Sequence, residues 1–254
     1  MPHLAGRPLT RVRFPDGVGG ERFYEKRKPK GAPEWIHSEP VGMDRVGEID
    51  FIVCDDTATL VWLGQMGALE LHPSLSKVSD MECPTVIAFD LDPGPPAGIR
   101  ECCVVAERVR ELFAKMALES FAKTSGSKGL QVYVPLNGSA TYETTKPFAQ
   151  AVAQAMERAE PDLVVSRMTK SLRIGKVLVD WSQNTRSKTT VSVYSLRARE
   201  RPTISTPVTW DEVAAGASGD EDLAFEAAAV LERIEKQGVL FAPVLELEQT
   251  LPES

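Results

Sequence analysis

The chain has 254 residues, of which 43% are hydrophobic and 26% charged; this allows one large α/β domain or two small ones and is typical of a globular protein. No apolar run approaches the roughly 20 residues of a membrane span, and the first residues lack the apolar core of a secretory signal. The four cysteines show no C-x-x-C spacing, which disfavours a disulfide scaffold or a zinc ribbon and fits a reducing cytoplasm.

The formal net charge of −7 would argue against a nucleic-acid binder if the charge were evenly spread. It is segregated instead: residues 7–30 hold eight basic and three acidic side chains, and residues 166–201 hold nine basic and two acidic ones. Residues 211–254 hold eleven acids against two basic residues and make the total negative. Basic segments can be ordinary solvated surface, but clustered cations are also what phosphate binding requires. The distribution therefore keeps nucleic acid open as a partner.

In chain order, hydrophobic periodicity predicts strands alternating with helices, which indicates one mixed α/β domain with room for two lobes. The predicted strands are residues 9–14, 22–25, 49–53, 85–92, 131–136, 176–181 and 189–194, with the first two and the last two forming hairpins. The predicted helices are residues 57–71, 101–120, 144–158 and 222–237, and Thr209 with Glu212 predicts a capping box that opens a short helix. In the last helix, positions 223, 227, 230, 231 and 234 are expected to face the core.

The sharpest local feature is the pair Asp90 and Asp92, at the end of a predicted strand. Residues two apart on a strand point to the same face, and adjacent carboxylates are costly unless a cation lies between them. Asp180 ends another apolar strand and would complete three carboxylates, a set that suits two Mg²⁺ or Mn²⁺ ions acting on a phosphate. The alternative is a solvent-exposed strand end for the pair and a turn for Asp180.

Three weaker features lie elsewhere in the chain. The small residues of segment 124–129 (TSGSKG) would let backbone N–H groups approach an anion, and Lys128 adds charge, although an ordinary flexible turn explains the segment as well. Phe23 and Tyr24 lie within the first basic segment and either stack on bases or pack inside a hairpin. His72 ends a predicted helix and, taken alone, is an ordinary surface residue.

Taken together, the chain resembles the primase–polymerase domain of bacterial DNA ligase D, a family of the archaeo-eukaryotic primase superfamily that acts in non-homologous end joining. The resemblance is carried by FYEK, GALELH, FDLDP, TSGSKGLQVYVPL, MTKSLRIGKVLVDWSQN and YSLRAR, in this order. It implies a two-lobed α/β (α+β) domain over residues 1–245, with an RRM-like catalytic half, and a tail at 246–254. The implied activity is template-directed addition of ribo- or deoxyribonucleoside triphosphates at gapped or broken DNA, with two Mn²⁺ or Mg²⁺ ions.

The same resemblance implies roles for particular residues. The metal-binding carboxylates would be Asp90, Asp92 and Asp180. Nucleotide binding would fall to His72, Ser125, Lys128, Gln131 and Arg197. DNA binding would involve Phe23, Tyr24 and Lys26.

Two departures from the family pattern modify these expectations. Gln131 stands where the family usually has histidine, and glutamine cannot supply imidazolium charge, so we expect weaker nucleotide binding or slower chemistry. The family's upstream segment, with lysines that grip a 5′-phosphate, is not found before His3, so we expect either a truncated sequence or reduced recognition of end phosphates. No K-x-D-G ligase motif is present, and a DNA ligase and an end-binding protein are expected to act in trans, in the cytoplasm at the nucleoid.

Two other functions stay open from the residues. One is a catalytically weak or inactive DNA-end-binding or scaffolding module on the same fold, which Gln131 and the missing upstream segment favour. The other is a metal-dependent phosphohydrolase, because a D-x-D pair with a further aspartate also serves such enzymes. The lack of other metal-ligating histidines weakens this last hypothesis.

Overall fold

The computed structural model describes residues 1–43 and 47–252. Its five N-terminal strands form one sheet. These strands are β1 (Pro8–Arg13), β2 (Phe23–Glu25), β3 (Ser38–Met43), β4 (Gly47–Val53) and β5 (Ala68–Pro73), with helix α1 (Thr57–Gln65) before β5. The order is β2-β1-β4-β3, and β5 also pairs antiparallel with β1. A short hairpin of β6 (Ser76–Lys77) and β7 (Asp80–Pro84) leads out of this lobe.

The second lobe is built on a six-stranded sheet. The remaining strands are β8 (Val86–Pro93), β9 (Phe121–Thr124), β10 (Leu130–Pro135), β11 (Val164–Val165), β12 (Val177–Asp180), β13 (Leu196–Arg197), β14 (Thr203–Ile204) and β15 (Pro207–Val208). The sheet order is β11-β12-β8-β10-β9-β15, while β13 and β14 pair separately. Strand β8 is therefore interior, and its apolar start is what a strand covered on both faces requires.

The two faces of β8 have different neighbours. Helices α2 (Ile99–Lys115) and α3 (Tyr142–Ala159) pack with Ile87, Phe89 and Leu91 in the main hydrophobic core. The ring of Phe113 on α2 lies 5.5 Å from that of Phe89, and truncating such a buried ring to alanine costs about 3–5 kcal/mol. Because side chains alternate along a strand, Asp90 and Asp92 belong to the opposite face, away from these helices.

Two shorter helices follow, α4 (Trp210–Ser218) and α5 (Ala227–Gln237). The predicted capping box is confirmed: the Thr209 hydroxyl accepts from the backbone N–H of Glu212, and the Glu212 carboxylate accepts from that of Thr209. The last helix begins at Ala227 rather than at 222, and both Ala227 and Leu231 are exposed, so that part of the prediction was wrong. Within the described ranges, no helix is long and apolar enough to cross a membrane.

The predicted helix over residues 57–71 was also wrong in its second half. Helix α1 ends at Gln65, and the chain turns through Gly67, whose φ is +72°. A Cβ at Gly67 would lie 3.0 Å from the carbonyl oxygen of Phe14, so glycine is needed twice over, for conformation and for space. The helical spacing of apolar residues continues across this turn, so the sequence pattern did not indicate β5.

The predicted strand over residues 189–194, and its hairpin with 176–181, do not form. The segment is irregular and runs beside β5: the N–H of Ser192 donates to the carbonyl of Leu71 at 2.8 Å, and that of Thr190 donates to Pro73 at 3.3 Å. The hydroxyl of Ser195 accepts from the N–H of Leu71 at 2.9 Å. Backbone groups on this side of β5 thus hydrogen-bond to the second lobe, and these bonds connect the two halves.

Candidate functional site

A polar cleft of about 390 Å³ opens where the C-terminal end of β8 faces β5. Seven of the residues singled out from the sequence line it: His72, Asp90, Asp92, Ser125, Lys128, Gln131 and Arg197. A larger cavity of about 900 Å³, beside α3 and residues 248–252, contains none of them. The polar cleft is therefore the candidate site.

The sheet register brings the three aspartates to one edge of the cleft. Asp90 on β8 lies opposite Gln131 on β10 and opposite Asp180 on β12. Asp92 is exposed, Asp90 is half-buried, and Asp180 is 9% exposed and lies behind the cleft lining. The strands thus place the predicted carboxylates next to one another, as their spacing in the sequence suggested.

Each carboxylate has a different partner. Asp90 Oδ1 accepts from Gln131 Nε2 at 3.1 Å, and Asp92 pairs with Arg173 at 3.3 Å. Asp180 accepts from the N–H of Ser182 at 2.8 Å and from the side chain of Gln183 at 3.0 Å. In residues 1–43 and 47–252, no three His, Cys, Asp or Glu side chains converge into a ready-made metal site.

The electrostatics of Asp90 nevertheless fit a divalent cation. Burial, with smaller contributions from the neighbouring charges of Asp180 and Asp92, raises the pKa of Asp90 to about 6 despite the opposing hydrogen bond from Gln131. Oxygen-only donors with uncompensated negative charge are what Mg²⁺ and Mn²⁺ favour. The donor set of Asp90, Asp92 and Asp180 therefore suits such an ion.

The loop predicted to bind phosphate is shaped by one serine and two glycines. The buried hydroxyl of Ser125 accepts from the N–H groups of Ser127 and Gly129, both at 3.2 Å. A Cβ at Gly129 would lie 1.9 Å from the carbonyl oxygen of Leu91, and one at Gly126, where φ is +64°, would lie 2.7 Å from Cγ of Arg197. Only glycine allows this close approach to β8 and β13. Lys128 remains exposed at the loop tip and lines the cleft.

His72 lies in β5, paired with Thr10 of β1, and not at a helix end as predicted. Its Nε2 lies 3.1 Å from Oε2 of Glu70, and Oε1 of the same carboxylate lies 3.4 Å from Nε of Arg197. The backbone N–H of Ala198 also donates to Glu70 Oε1, at 3.1 Å. Two of the five predicted nucleotide ligands, His72 and Arg197, are thereby joined by a carboxylate that was not predicted from the sequence.

A second residue missed from the sequence is Lys123, which is fully buried on β9. Its Nζ donates to Oε1 of Gln131 and to the hydroxyl of Ser205, both at 2.6 Å, and Tyr133 OH also donates to Gln131 Oε1 at 3.3 Å. Burial lowers the pKa of Lys123 to about 7. With donors on its oxygen, the Gln131 amide must turn its nitrogen toward Asp90.

The predicted DNA-binding residues lie beside the cleft rather than in it. Tyr24 lines an adjoining groove of about 650 Å³ that shares His72 and Arg197 with the cleft. Phe23 and Tyr24 are 40% and 62% exposed, so neither is packed inside the hairpin. Nζ of Lys26 donates to the carbonyl of Ser187 at 3.3 Å, which brings the two basic segments into contact.

The basic segments offer fewer surface cations than their counts suggested. Arg7 is buried and donates to the carbonyl of Leu75 and the hydroxyl of Thr85. Arg11 is 1% exposed and pairs with Glu25 at 2.9 Å. Two cations of the first segment therefore stabilise the lobe, and less positive charge is available to phosphate than the sequence predicts.

The chain is similar to known proteins over nearly its whole length. A family model described as "LigD, primase-polymerase domain" matches residues 1–241. The chain is 41% identical over 247 residues to the multifunctional non-homologous end joining protein LigD of Mycolicibacterium smegmatis, which covers 96% of this chain and 32% of that protein. It is 33% identical over 242 residues to the bifunctional non-homologous end joining protein LigD of Bacillus subtilis, covering 95% and 38% respectively.

Among solved structures, the polymerase domain of Mycobacterium tuberculosis ligase D in complex with DNA matches with a TM-score of 0.90 and 39% sequence identity, over 98% of this chain and 88% of that one. The mixed α/β fold predicted from the sequence is thus confirmed. The chain spans about a third of the length of the curated relatives that it matches.

Proposed function

Because the chain belongs to the LigD primase-polymerase domain family, we propose that it is a nucleotidyltransferase that fills gaps or extends DNA ends in double-strand-break repair by non-homologous end joining. The observation that carries the proposal is one cleft in which Asp90 and Asp92 share the lining with His72, Lys128 and Arg197. Carboxylates facing cations suit a nucleoside triphosphate that is bridged to the protein through divalent metals.

In this proposal, Asp90, Asp92 and Asp180 hold two ions, Mn²⁺ or Mg²⁺. Such ions supply positive charge where negative charge develops on the α-phosphate. The chain's own contribution is to fix the carboxylates: Gln131 holds Asp90, and Gln183 holds Asp180. Asp92 has to share or leave its contact with Arg173 when a metal binds.

The triphosphate is proposed to lie along the cation side of the cleft. Lys128 and Arg197 provide the charge and His72 a further contact, while Ser125 keeps the loop in the shape that presents Lys128. Arg197 suits phosphate because the guanidinium offers two parallel donors. Both ribo- and deoxyribonucleoside triphosphates carry this group, so it does not select between the sugars.

DNA is proposed to occupy the adjoining groove. Tyr24 presents an exposed ring there, and stacking of a base on an aromatic ring contributes about 1–3 kcal/mol. Phe23, the next residue along β2, is also exposed, but it does not line this groove. Lys26, where the two basic segments touch, would meet the backbone. The related domain of M. tuberculosis ligase D was solved in complex with DNA, which supports a shared binding surface.

The relatives are described as multifunctional or bifunctional and are about three times longer than the matched region. We therefore propose that nick sealing by a DNA ligase and end holding by an end-binding protein accompany the synthesis step carried out by this domain.

Primer extension on a gapped duplex tests the proposal, with Mn²⁺ or Mg²⁺ and with ribo- or deoxyribonucleotides. We expect extension by the wild type, none by Asp90→Ala or Asp92→Ala, and unchanged extension by Asp220→Ala, an exposed acid between α4 and α5. DNA binding without extension under any metal condition would support the DNA-end-binding module instead. Phosphate release without extension would support a phosphohydrolase.

A further inference from the structure

Glu70 is a buried carboxylate to which the proposed reaction assigns no direct part. It is 9% exposed and lies on β5 two residues before His72, so the two side chains leave the same face of the strand. It contacts His72 Nε2 at 3.1 Å, the backbone N–H of Ala198 at 3.1 Å and Nε of Arg197 at 3.4 Å. One side chain thus touches two of the three residues, His72 and Arg197 but not Lys128, that are proposed to line the triphosphate side of the cleft.

These contacts determine which nitrogen of His72 carries a proton. An ionised carboxylate only accepts hydrogen bonds, so the Nε2 of His72 that faces Glu70 must carry hydrogen. Nδ1 is then the ring nitrogen left for a ligand, and a phosphate oxygen, also an acceptor, needs a proton there too.

The same contacts orient Arg197. Its Nε points at Glu70, at ion-pair rather than good hydrogen-bond distance, which leaves the two terminal nitrogens for the cleft. The bond from Ala198 ties the carboxylate to the segment that carries Arg197. Burial raises the pKa of Glu70, but the hydrogen bonds from His72 and Ala198 and the charge of Arg197 outweigh it and keep the carboxylate ionised.

We propose that Glu70 is a positioning residue: by accepting from Nε2 of His72 and pairing with Nε of Arg197, it fixes the orientation of both side chains, so that Nδ1 of His72 and the terminal nitrogens of Arg197 face the triphosphate. The inference rests on the proposed function, because it needs a triphosphate in the cleft. It adds a residue that acts through its neighbours rather than by touching the substrate.

Glu70→Gln tests it, with Glu212→Gln as a matched control. Glu212 is also a poorly exposed carboxylate (16% of its side chain, against 11% for Glu70) that pairs with an arginine, Arg233, and accepts from a backbone N–H. We expect E70Q to weaken ATP binding and to raise KM for ATP about 10-fold or more, with kcat within about 3-fold. E212Q should lower Tm and leave KM unchanged.

A spectroscopic measurement keeps the test independent of activity and of variant folding. The chain has only three histidines, so ¹⁵N-histidine NMR resolves them, and His72→Gln assigns the His72 signals. Wild-type protein without nucleotide should show the Nε2 of His72 protonated, and E70Q should shift this signal, because an amide can donate to that nitrogen.

An unprotonated Nε2 in the wild type overturns the inference. So does an E70Q protein that binds ATP like the wild type, or one whose KM rises no more than that of E212Q. If the wild type itself binds neither ATP nor inorganic tripolyphosphate, the proposed function has failed, and that outcome is distinct from a failure of Glu70 alone.

Discussion

Two strands line the cleft, and each carries ionisable residues two positions apart on one face. On β8 they are two acids, Asp90 and Asp92; on β5 they are Glu70 and His72, which lie 3.1 Å apart. The like pair sits in a region that raises the pKa of Asp90 to about 6, first through burial and then through neighbouring carboxylates. Glu70 and His72, by contrast, hydrogen-bond to each other. The comparison distinguishes a pair of like charges, for which we propose a bound cation, from a pair whose side chains hold each other in place.

The strands also differ in how they are supported. β8 is interior and bonded to β10 and β12, so its direction is set by a sheet. β5 is bonded to β1 on one side and to the irregular segment 189–195 on the other. The acidic edge of the cleft is therefore built within one lobe, whereas the edge carrying His72 depends on both lobes.

The largest expected effect comes from removing one of the like charges. Asp90→Asn should reduce nucleotide addition by about 100-fold or more, because a metal ligand is lost. Without metal, its Tm at pH 7 should rise, because a buried and repelled charge disappears. Mn²⁺ should stabilise the wild type but not D90N, as measured by thermal unfolding. Full activity in D90N, or equal stabilisation by Mn²⁺, contradicts the metal assignment.

Lys123→Met tests the buried lysine that hydrogen-bonds Gln131, the residue that in turn contacts Asp90 on β8. The pKa of Lys123 is about 7 in the fold, against an ordinary 10.5, because burial disfavours the ammonium form. The unfolded chain binds more protons between these values, so this residue should make stability rise with pH from about 7 to about 10.5, by on the order of a few kcal/mol. The unfolding free energy of the wild type minus that of K123M should show this slope in urea titrations. A difference that is flat with pH rules out a neutral buried lysine.

Gln131→His tests how the acidic strand is held. The sequence alone predicts a gain, because the family usually has histidine there. The structure limits that gain, since a neutral imidazole can accept from Lys123 and donate to Asp90, as the Gln131 amide does. We expect primer extension to rise about 3-fold or less, with Gln154→His on the exposed side of α3 as control. A gain above about 10-fold would mean that imidazolium charge matters.

The smallest expected effect comes from His37, a half-exposed histidine that contacts carboxylates as His72 contacts Glu70. His37 contacts Glu39 at 2.9 Å and Asp55 at 2.8 Å, and these hydrogen bonds raise the pKa of His37. A histidine with a raised folded pKa contributes stability below its unfolded pKa of 6.5, and the contribution is lost as pH rises through the folded value. Because the side chains are half-exposed, we expect less than about 1 kcal/mol. His37→Asn should remove this pH dependence in chemical unfolding; an unchanged profile contradicts it.

The parts of the site that follow β8 could be predicted from the sequence. An apolar run ending in Asp90 and Asp92 specifies a buried strand with its polar end at the cleft, and Asp180 ends its neighbour in the same way. The loop before β10 follows from its glycines. These features are local, so periodicity and turn chemistry reach them.

The rest depends on contacts between distant residues. Glu70 meets Ala198 across 128 positions, and Lys123 meets Ser205 across 82. No local pattern marks such pairs. His72 was placed on the wrong element because the apolar spacing of α1 runs on past Gly67, and that glycine was the one available signal for a turn.

The close approach of Gly129 to Leu91 has a consequence for how the site keeps its dimensions. The backbone of the loop rests directly on the backbone of β8, with no side chain between them. In the proposed complex, main-chain contact alone then sets the distance between the metal-binding carboxylates and the far end of the triphosphate. Substitutions at Ser127 or Lys128 would alter the charge of the loop and keep that distance, whereas any side chain at 129 would change the distance itself.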